Sequence, residues 1–282
     1  MQGKTCVITG ANTGIGKAAA EALASLGAQV VMVCRNRDKG EQARADILSA
    51  AQKSGRGGGA DLLIADLSSQ SAVRAVALDI LAAHPRIDVL VNNAGLALSH
   101  RELTVDGIER TFAVNYLAYF MLANLLLPGL RAAGHARIIN VASSAHADGK
   151  LDFANLQGER SYKYIAMYAA SKLQDVMFTY ALARRLAGSG ITANTLHPGA
   201  VATEIWRQFA ILRILSKWLL LSPEKGARTT VYLAASPDVE GVTAKYFDKC
   251  QPAKTSSLSR DELLQEKLWT ASVAVTGVGS EV

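Results

Sequence analysis

Apolar residues in this chain fall into short unbroken runs, separated by stretches with helical spacing. Residues 4–9 (KTCVIT) are short, apolar and rich in β-branched side chains, which predicts a strand, and residues 16–26 have helical spacing and stop at Gly27. A second strand is expected at 28–34 (AQVVMVC), a helix at 38–52, a third strand at 62–65, a helix at 69–83 and a fourth strand at 87–92 (IDVLVN). The alternation continues with a long apolar helix over 106–133, adjusted at Pro128, and a strand at 136–141. A helix at 164–186, a strand at 191–196 and a last strand near 243–247 complete the pattern. Residues 52–59 (QKSGRGGG) are the one low-complexity stretch and read as a flexible loop. Strands that are apolar throughout must be covered on both faces. Alternating with helices, they predict an α/β fold with a doubly wound, mostly parallel sheet and helices on both sides.

That arrangement is the Rossmann type, whose strand ends bind dinucleotides. The chain has 282 residues with no break in composition, so a single domain over 1–282 is expected. Half the residues are hydrophobic and 19% are charged, which excludes a disordered chain or a coiled coil. The net charge of +6 is dispersed along the chain rather than clustered, so no nucleic-acid partner is expected. The three cysteines, Cys6, Cys34 and Cys250, are odd in number and widely spaced, so neither a disulfide framework nor a metal site reads from them. Cys6 and Cys34 lie in apolar runs and are expected to be buried thiols in a reducing, cytoplasmic compartment. The apolar run at 5–9 follows Met1 too closely for a signal segment, and no apolar run approaches the ~20 residues that span a bilayer.

The first strand runs into Thr9-Gly10-Ala11-Asn12-Thr13-Gly14-Ile15-Gly16 and directly into a helix. Glycines let a backbone turn tightly and approach a pyrophosphate, and the helix start offers unpaired N–H groups to it. Gly10, Asn12, Thr13, Gly14, Ile15 and Gly16 are therefore the expected phosphate cradle. The second strand ends in Cys34-Arg35-Asn36-Arg37, where an NAD site would place an acid for the ribose 2′-hydroxyl. Arg35 stands there instead and suits a 2′-phosphate, so NADP(H) is expected in preference to NAD.

Tyr168 and Lys172 are four residues apart in a helical stretch and so share one face. A free phenol titrates near ~10 and is a poor acid–base group at neutral pH, but a neighbouring cation favours its phenolate. The strand 136–141 ends in Asn140-Val141-Ala142-Ser143-Ser144, and strand ends of this kind are where open α/β sheets bind ligands. Either Ser143 or Ser144 could meet a substrate there.

The turn Thr-Gly-x-x-x-Gly-x-Gly at 9–16, with Tyr168-x-x-x-Lys172, resembles the short-chain dehydrogenase/reductase family, and the resemblance covers almost the whole chain. It is most similar to the retinol dehydrogenase-like branch. Residues 10–17 (GANTGIGK), Cys34-Arg35, the insert containing 153–157 (FANLQ) and His197-Pro198-Gly199 carry that likeness, with Tyr246-Phe247, Cys250 and Leu268-Trp269 in the tail. The resemblance implies that Ser143 holds the substrate oxygen, with Ser144 as the fallback, and that Tyr168 transfers the proton beside Lys172. It implies that Asn115 supports a water-mediated proton path towards Lys172. It places Asp66 and Leu67 beside the adenine, makes Asn93, Ala94 and Gly95 a cofactor wall, and puts Pro198 and Gly199 at the nicotinamide end with Thr203 on the carboxamide. His197 reads as a loop residue beside the cofactor.

The resemblance also implies a substrate lid at 203–222. Within 206–221 (WRQFAILRILSKWLLL), Ile211, Leu212, Leu215, Trp218 and Leu219 form an apolar stripe opposite Arg213 and Lys217. Such a helix can close over a greasy pocket or lie on a membrane surface. The implied activity is hydride transfer between NADP(H) and an alcohol or carbonyl compound, lipophilic and retinoid- or aldehyde-like. Weak peripheral membrane contact and a homodimer through the helices at 106–133 and 164–186 are compatible with it. Two other functions stay open: reduction of a carbon–carbon double bond, as in the similar light-dependent protochlorophyllide reductases, and a non-catalytic NADP-binding sensor. The Ser, Tyr, Lys and Asn set argues against the sensor.

Overall fold

A computed structural model describes residues 1–199 and 221–280. The strands are β1 (Thr5–Thr9), β2 (Gln29–Cys34), β3 (Gly59–Ile64), β4 (Val89–Asn92), β5 (Ala136–Val141), β6 (Ile191–His197), β7 (Tyr246–Asp248) and β8 (Gln251–Ala253). They form one sheet in the order β3-β2-β1-β4-β5-β6-β7-β8. All neighbours are parallel except β7 and β8, which pair as an antiparallel hairpin. The chain starts in the middle of the sheet, builds outwards to β3, then returns to build the other way from β4. Beyond the ends of β1 and β4 the connections diverge to opposite faces, which opens a ligand crevice.

Successive side chains of a strand point to opposite faces, so each central strand feeds two cores. On one face Ile8, Met32, Val91 and Ile139 pack with Leu23 of α1 (Gly14–Ser25), Ile47 of α2 (Arg37–Ser54) and Leu233 of a later helix, Pro223–Ala235. On the other, Val7, Val31, Leu90 and Ile138 pack under α3 (Gln70–Ala83) and the helices of the second half. Those are α4 (Arg110–Phe112), α5 (Ala118–Leu125), α6 (Leu127–Ala132) and α7 (Tyr164–Arg185), followed by α8 (Pro223–Ala235) on the first face and α9 (Glu262–Thr276) on this one. The expected α/β class and doubly wound sheet are present.

Three local expectations change. The stretch at 52–59 is not a flexible loop: α2 runs through Ser54, and β3 begins at Gly59, three residues earlier than expected. Gly55 ends the helix at φ +67°, and a Cβ on Gly58 would collide with the Ala24 carbonyl, so these glycines permit a tight crossing. The helix expected over 106–133 starts only at Arg110, because residues 103–109 close into a bridge between Leu103 and Glu109 with Gly107 at φ +72°. The buried Glu109 carboxylate then caps the helix, accepting from Thr111 N at 2.8 Å and Phe112 N at 2.7 Å. A π-helical turn, Ala113–Leu117, follows α4, and the rod breaks at Leu126. Pro128 sits in the first turn of α6, where its missing N–H costs nothing. The last expected strand is shifted to 246–248 and continues into β8; α8, α9 and β8 had no expectation from the pattern.

The C-terminal α9 covers α5 and α7. Trp269 meets Phe120 edge-on at 4.9 Å between ring centroids and stacks on Phe178 at 5.9 Å, while the Arg185 guanidinium lies 3.9 Å above the Trp269 ring. Among the described residues no helix is long and apolar enough to cross a membrane. Thr203 and the expected lid up to residue 220 lie outside the described residues.

Candidate active site

The expected phosphate cradle closes the crevice between β1 and β4. Gly10 and Gly14 take φ +67° and +55°, backbone conformations that a side chain would strain. A Cβ on Gly10 would lie 3.0 Å from the Ala94 Cα, and one on Gly16 would strike the Asn93 amide. The turn therefore sits directly on the loop after β4. Ile15 is buried beneath it, and Asn12 and Thr13 are half-buried. Thr13 precedes α1 but makes no capping hydrogen bond, and the first turn of α1 carries no acid. The open N–H groups and positive helix end fit a pyrophosphate.

Arg35 is exposed at the end of β2, and Asp66 follows the end of β3 on the adjacent strand. Asp66 accepts a hydrogen bond from Ser68 N at 2.9 Å. Burial pushes its carboxyl up, but the Ser68 bonds and the charges of Arg35 and Arg110 outweigh this and hold it below the usual range. Leu67 is buried behind it. Cys34, next to Arg35, is buried and its thiol is pushed up to about 12 by desolvation, so it is inert at neutral pH. Asn93, Ala94 and Gly95 form the wall between these two halves; Pro198 and Gly199 follow β6, with Gly199 at φ +85° and Leu221 where its Cβ would be.

The face of α7 that meets the sheet carries Tyr168, Lys172, Asp175 and Thr179, all buried. Lys172 Nζ donates to the Val141 carbonyl at 2.9 Å, at the end of β5, and to Asp175 Oδ2 at 2.9 Å. It lies 6.0 Å from the Tyr168 ring centroid and 5.4 Å from that of Tyr119. A Cβ on Gly95 would stand 3.8 Å from it, so the loop after β4 and the lysine face each other directly. Asn115 lies in the π-helical turn. Its Nδ2 donates to Ser171 Oγ at 3.0 Å and Leu96 O at 2.9 Å, and its Oδ1 accepts from Leu96 N at 2.8 Å. The Asn115 side chain thus ties the loop after Gly95 to α7, one residue from Lys172.

Ser143 starts a short 3₁₀ turn, Ser144–Asp148, and its Oγ accepts from Ala145 N at 3.2 Å. Ser144 is more exposed than Ser143. The turn packs closely on α7 because Gly149 has no Cβ: one there would lie 2.6 Å from the Ala169 carbonyl. Tyr168, Lys172, Ser143 and Asn115 therefore converge on the end of β5 and the neighbouring loops.

Sequence reasoning assigned no supporting role to His146, Asn92 or Asn140, and placed His197 in the loop without its bond to the serine turn. The His197 Nδ1 accepts from Ser144 N at 3.1 Å, and the His146 Nδ1 meets Ser143 O at 2.8 Å, so two imidazoles brace the serine turn. Burial lowers both pKa values, which favours neutral rings. Asn92 Nδ2 donates to Asn140 Oδ1 at 2.9 Å, and Asn140 Nδ2 donates to Thr179 Oγ1 at 2.9 Å, so a buried polar chain links β4, β5 and α7. The signal for this chain was present: Asn92 and Asn140 are polar residues closing apolar strands. An isolated histidine such as His146 carries no comparable signal.

The family described as "short chain dehydrogenase" matches residues 4–211. Retinol dehydrogenase 14 of Mus musculus is 41% identical over 291 aligned residues, covering 99% of this chain and 87% of that protein. A protein of known structure from Mycobacterium paratuberculosis is similar at TM-score 0.80 and 32% identity, over 98% of this chain and 94% of its own. A second, from Beutenbergia cavernae, is described as an NAD(P)-dependent gluconate 5-dehydrogenase with NADP bound. It is similar at TM-score 0.72 and 30% identity, over 88% of this chain and 96% of its own.

Proposed function

The chain belongs to the short-chain dehydrogenase family of oxidoreductases, and from that premise we propose an NADP-dependent alcohol dehydrogenase/carbonyl reductase for a lipophilic, retinoid- or aldehyde-like substrate. The observation that carries the proposal is the position of Lys172. Its bond to Val141 O holds the ammonium at the strand end that continues to Ser143, on the same helix face as Tyr168.

The bound nicotinamide supplies the hydride in reduction and accepts it in oxidation. In reduction, Ser143 holds the carbonyl oxygen by a hydrogen bond, and the Tyr168 hydroxyl gives its proton to that oxygen as the hydride reaches carbon. In oxidation, Tyr168 takes the hydroxyl proton back. The Lys172 ammonium favours the phenolate that remains and lies across from Gly95. The Asn115 side chain positions this assembly through Ser171 and Leu96. Gly10, Asn12, Thr13, Gly14, Ile15 and Gly16 would hold the pyrophosphate, Arg35 the 2′-phosphate and Asp66 with Leu67 the adenine. Asn93, Ala94, Gly95, Pro198, Gly199 and Thr203 would line the nicotinamide side.

Two things support a lipophilic substrate: the apolar stripe of residues 206–221 in the sequence and the likeness to a retinol dehydrogenase. The test is a screen of purified protein with NADPH against retinal, long and short aliphatic aldehydes, quinones and steroids. The expected result is the highest kcat/KM for retinal or a long-chain aldehyde, with Leu215→Ser/Trp218→Ser raising KM for the long aldehyde far more than for the short one. A parallel loss on both aldehydes would remove the lipophilic assignment.

A further inference from the structure

Resting on the dehydrogenase reading, we propose that Asp175 is a positioning residue that fixes the Lys172 ammonium and partly neutralises it, so tempering its pull on the Tyr168 proton. Two of the three Lys172 N–H groups are engaged, one by Val141 O and one by Asp175 Oδ2, each at 2.9 Å. Only the third is left for the side facing Tyr168 and Gly95. Asp175 is wholly buried, and its second oxygen, Oδ1, has no hydrogen-bond partner. A buried carboxylate with an unsatisfied oxygen is costly to keep. An amide of the same shape would accept the same bond from Lys172. The charge, not the shape, is what the acid adds here.

The surroundings leave that charge one place to act. On α7, Asp175 faces Lys172, and its main-chain carbonyl accepts from Thr179 Oγ1 at 2.7 Å. The π-helical turn and α5 bring Tyr116 and Tyr119, whose phenols are pushed up by burial first and by Asp175 after it. Both hydroxyls are committed elsewhere, Tyr116 to Ser272 Oγ at 2.6 Å and Tyr119 to Ala94 O at 2.8 Å. β5 contributes the neutral Val141 carbonyl and Asn140. Among the described residues Lys172 is the charge that acts on Asp175. Burial pushes the Asp175 carboxyl up, and the Lys172 ammonium at 2.9 Å opposes this and favours the ionised carboxylate.

A negative charge two helical turns from Tyr168 opposes phenolate formation. Removing it is expected to shift the alkaline limb of activity downwards by about one pH unit, the size of one charge acting over about 10 Å, the rise of seven helical residues, at an effective dielectric near 20. The experiment compares the unmodified protein with Asp175→Asn in two measurements. The first is the pH profile of kcat/KM for retinol oxidation with NADP. The second needs no substrate: the tyrosinate absorbance near 295 nm that disappears when Tyr168→Phe is added to each background. Both midpoints are expected to fall by about one pH unit in Asp175→Asn. If the protein does not turn over retinol, the absorbance titration still decides, so failure of the substrate reading is distinguishable. If the amide variant does not fold, Asp175→Ser carries the same expectation. A midpoint unchanged in a folded variant, whether or not kcat falls, overturns the proposal and leaves Asp175 a structural residue.

Discussion

The Thr9 hydroxyl accepts the main-chain N–H of Asn93 at 2.9 Å and that of Ala94 at 3.0 Å. Asn93 returns the contact, its side chain donating to Thr9 O at 2.8 Å. The last residue of β1 thus holds the loop after β4, and the glycine turn and that loop form one unit across the crevice. Thr9→Val keeps the shape but leaves two N–H groups without their acceptor. It is expected to cost about 1–3 kcal/mol and to weaken NADPH binding. Urea unfolding and fluorescence titration of NADPH check this; a normal affinity in a destabilised variant would show that the loops need no such tie.

The proposed preference for NADP rests on Arg35, exposed at the end of β2 with its charge felt by Asp66. An arginine–phosphate contact is charge-assisted and often bidentate. NADP(H) is expected to bind more tightly than NAD(H), and Arg35→Asp to reverse the order. Equal affinities for both cofactors in the unmodified protein would sink the assignment.

Tyr168→Phe removes the proposed proton donor and keeps the ring. Turnover is expected to fall by about 100-fold or more, as general acid catalysis contributes at least that much, while NADPH binding stays nearly intact. Lys172→Ala should damage both, because the ammonium also faces the cofactor wall. Residual turnover above roughly a tenth in Tyr168→Phe would move the proton-transfer role to another residue.

Asp88 predicts an acid-dependent stability. It is buried, and it accepts from Lys4 Nζ at 2.8 Å, Thr5 N at 3.0 Å and Arg86 Nη2 at 3.0 Å. Burial pushes its carboxyl up, but these partners outweigh it and hold the carboxyl below its usual value. A carboxyl lowered on folding stabilises the protein above its unfolded value near ~3.9, and that gain fades as pH falls through the folded value. Asp88→Asn is expected to lose about 1–3 kcal/mol at neutral pH and progressively less under acid conditions. Chemical unfolding at pH 7 and pH 3 checks this; the same deficit at both would refute the linkage.

Trp269 closes the apolar face of α5 and α7. Trp269→Ala is expected to cost about 3–5 kcal/mol and, where the protein remains folded, to promote self-association through the uncovered Phe120 and Phe178. Sedimentation across a concentration series measures the second effect. An unchanged sedimentation coefficient would mean that α9 shields no adhesive surface.

Period and punctuation along the chain were enough for the layered architecture. Unbroken apolar runs such as 28–34 have to be buried on both faces, and no open sheet satisfies that except one wound on both sides. Local spacing was likewise enough for the glycine turn and for the shared face of Tyr168 and Lys172, because both are properties of a few consecutive residues. What local pattern could not decide was contact between residues distant in sequence. Residues 106–109 read as the start of a helix, but the bridge from Leu103 to Glu109 and the cap supplied by Glu109 delay it to Arg110. The glycines at 55–59 read as a loose loop until the Ala24 backbone is placed against Gly58. Asp175 looks like an ordinary polar residue one turn from Lys172. Only the packing of α7 against β5 and Tyr119 removes water from the pair, and only then does its charge bear on the chemistry. Sequence determines which conformations are locally cheap; the partners that bury or pair a polar group are set by the whole fold, and its energy depends on them.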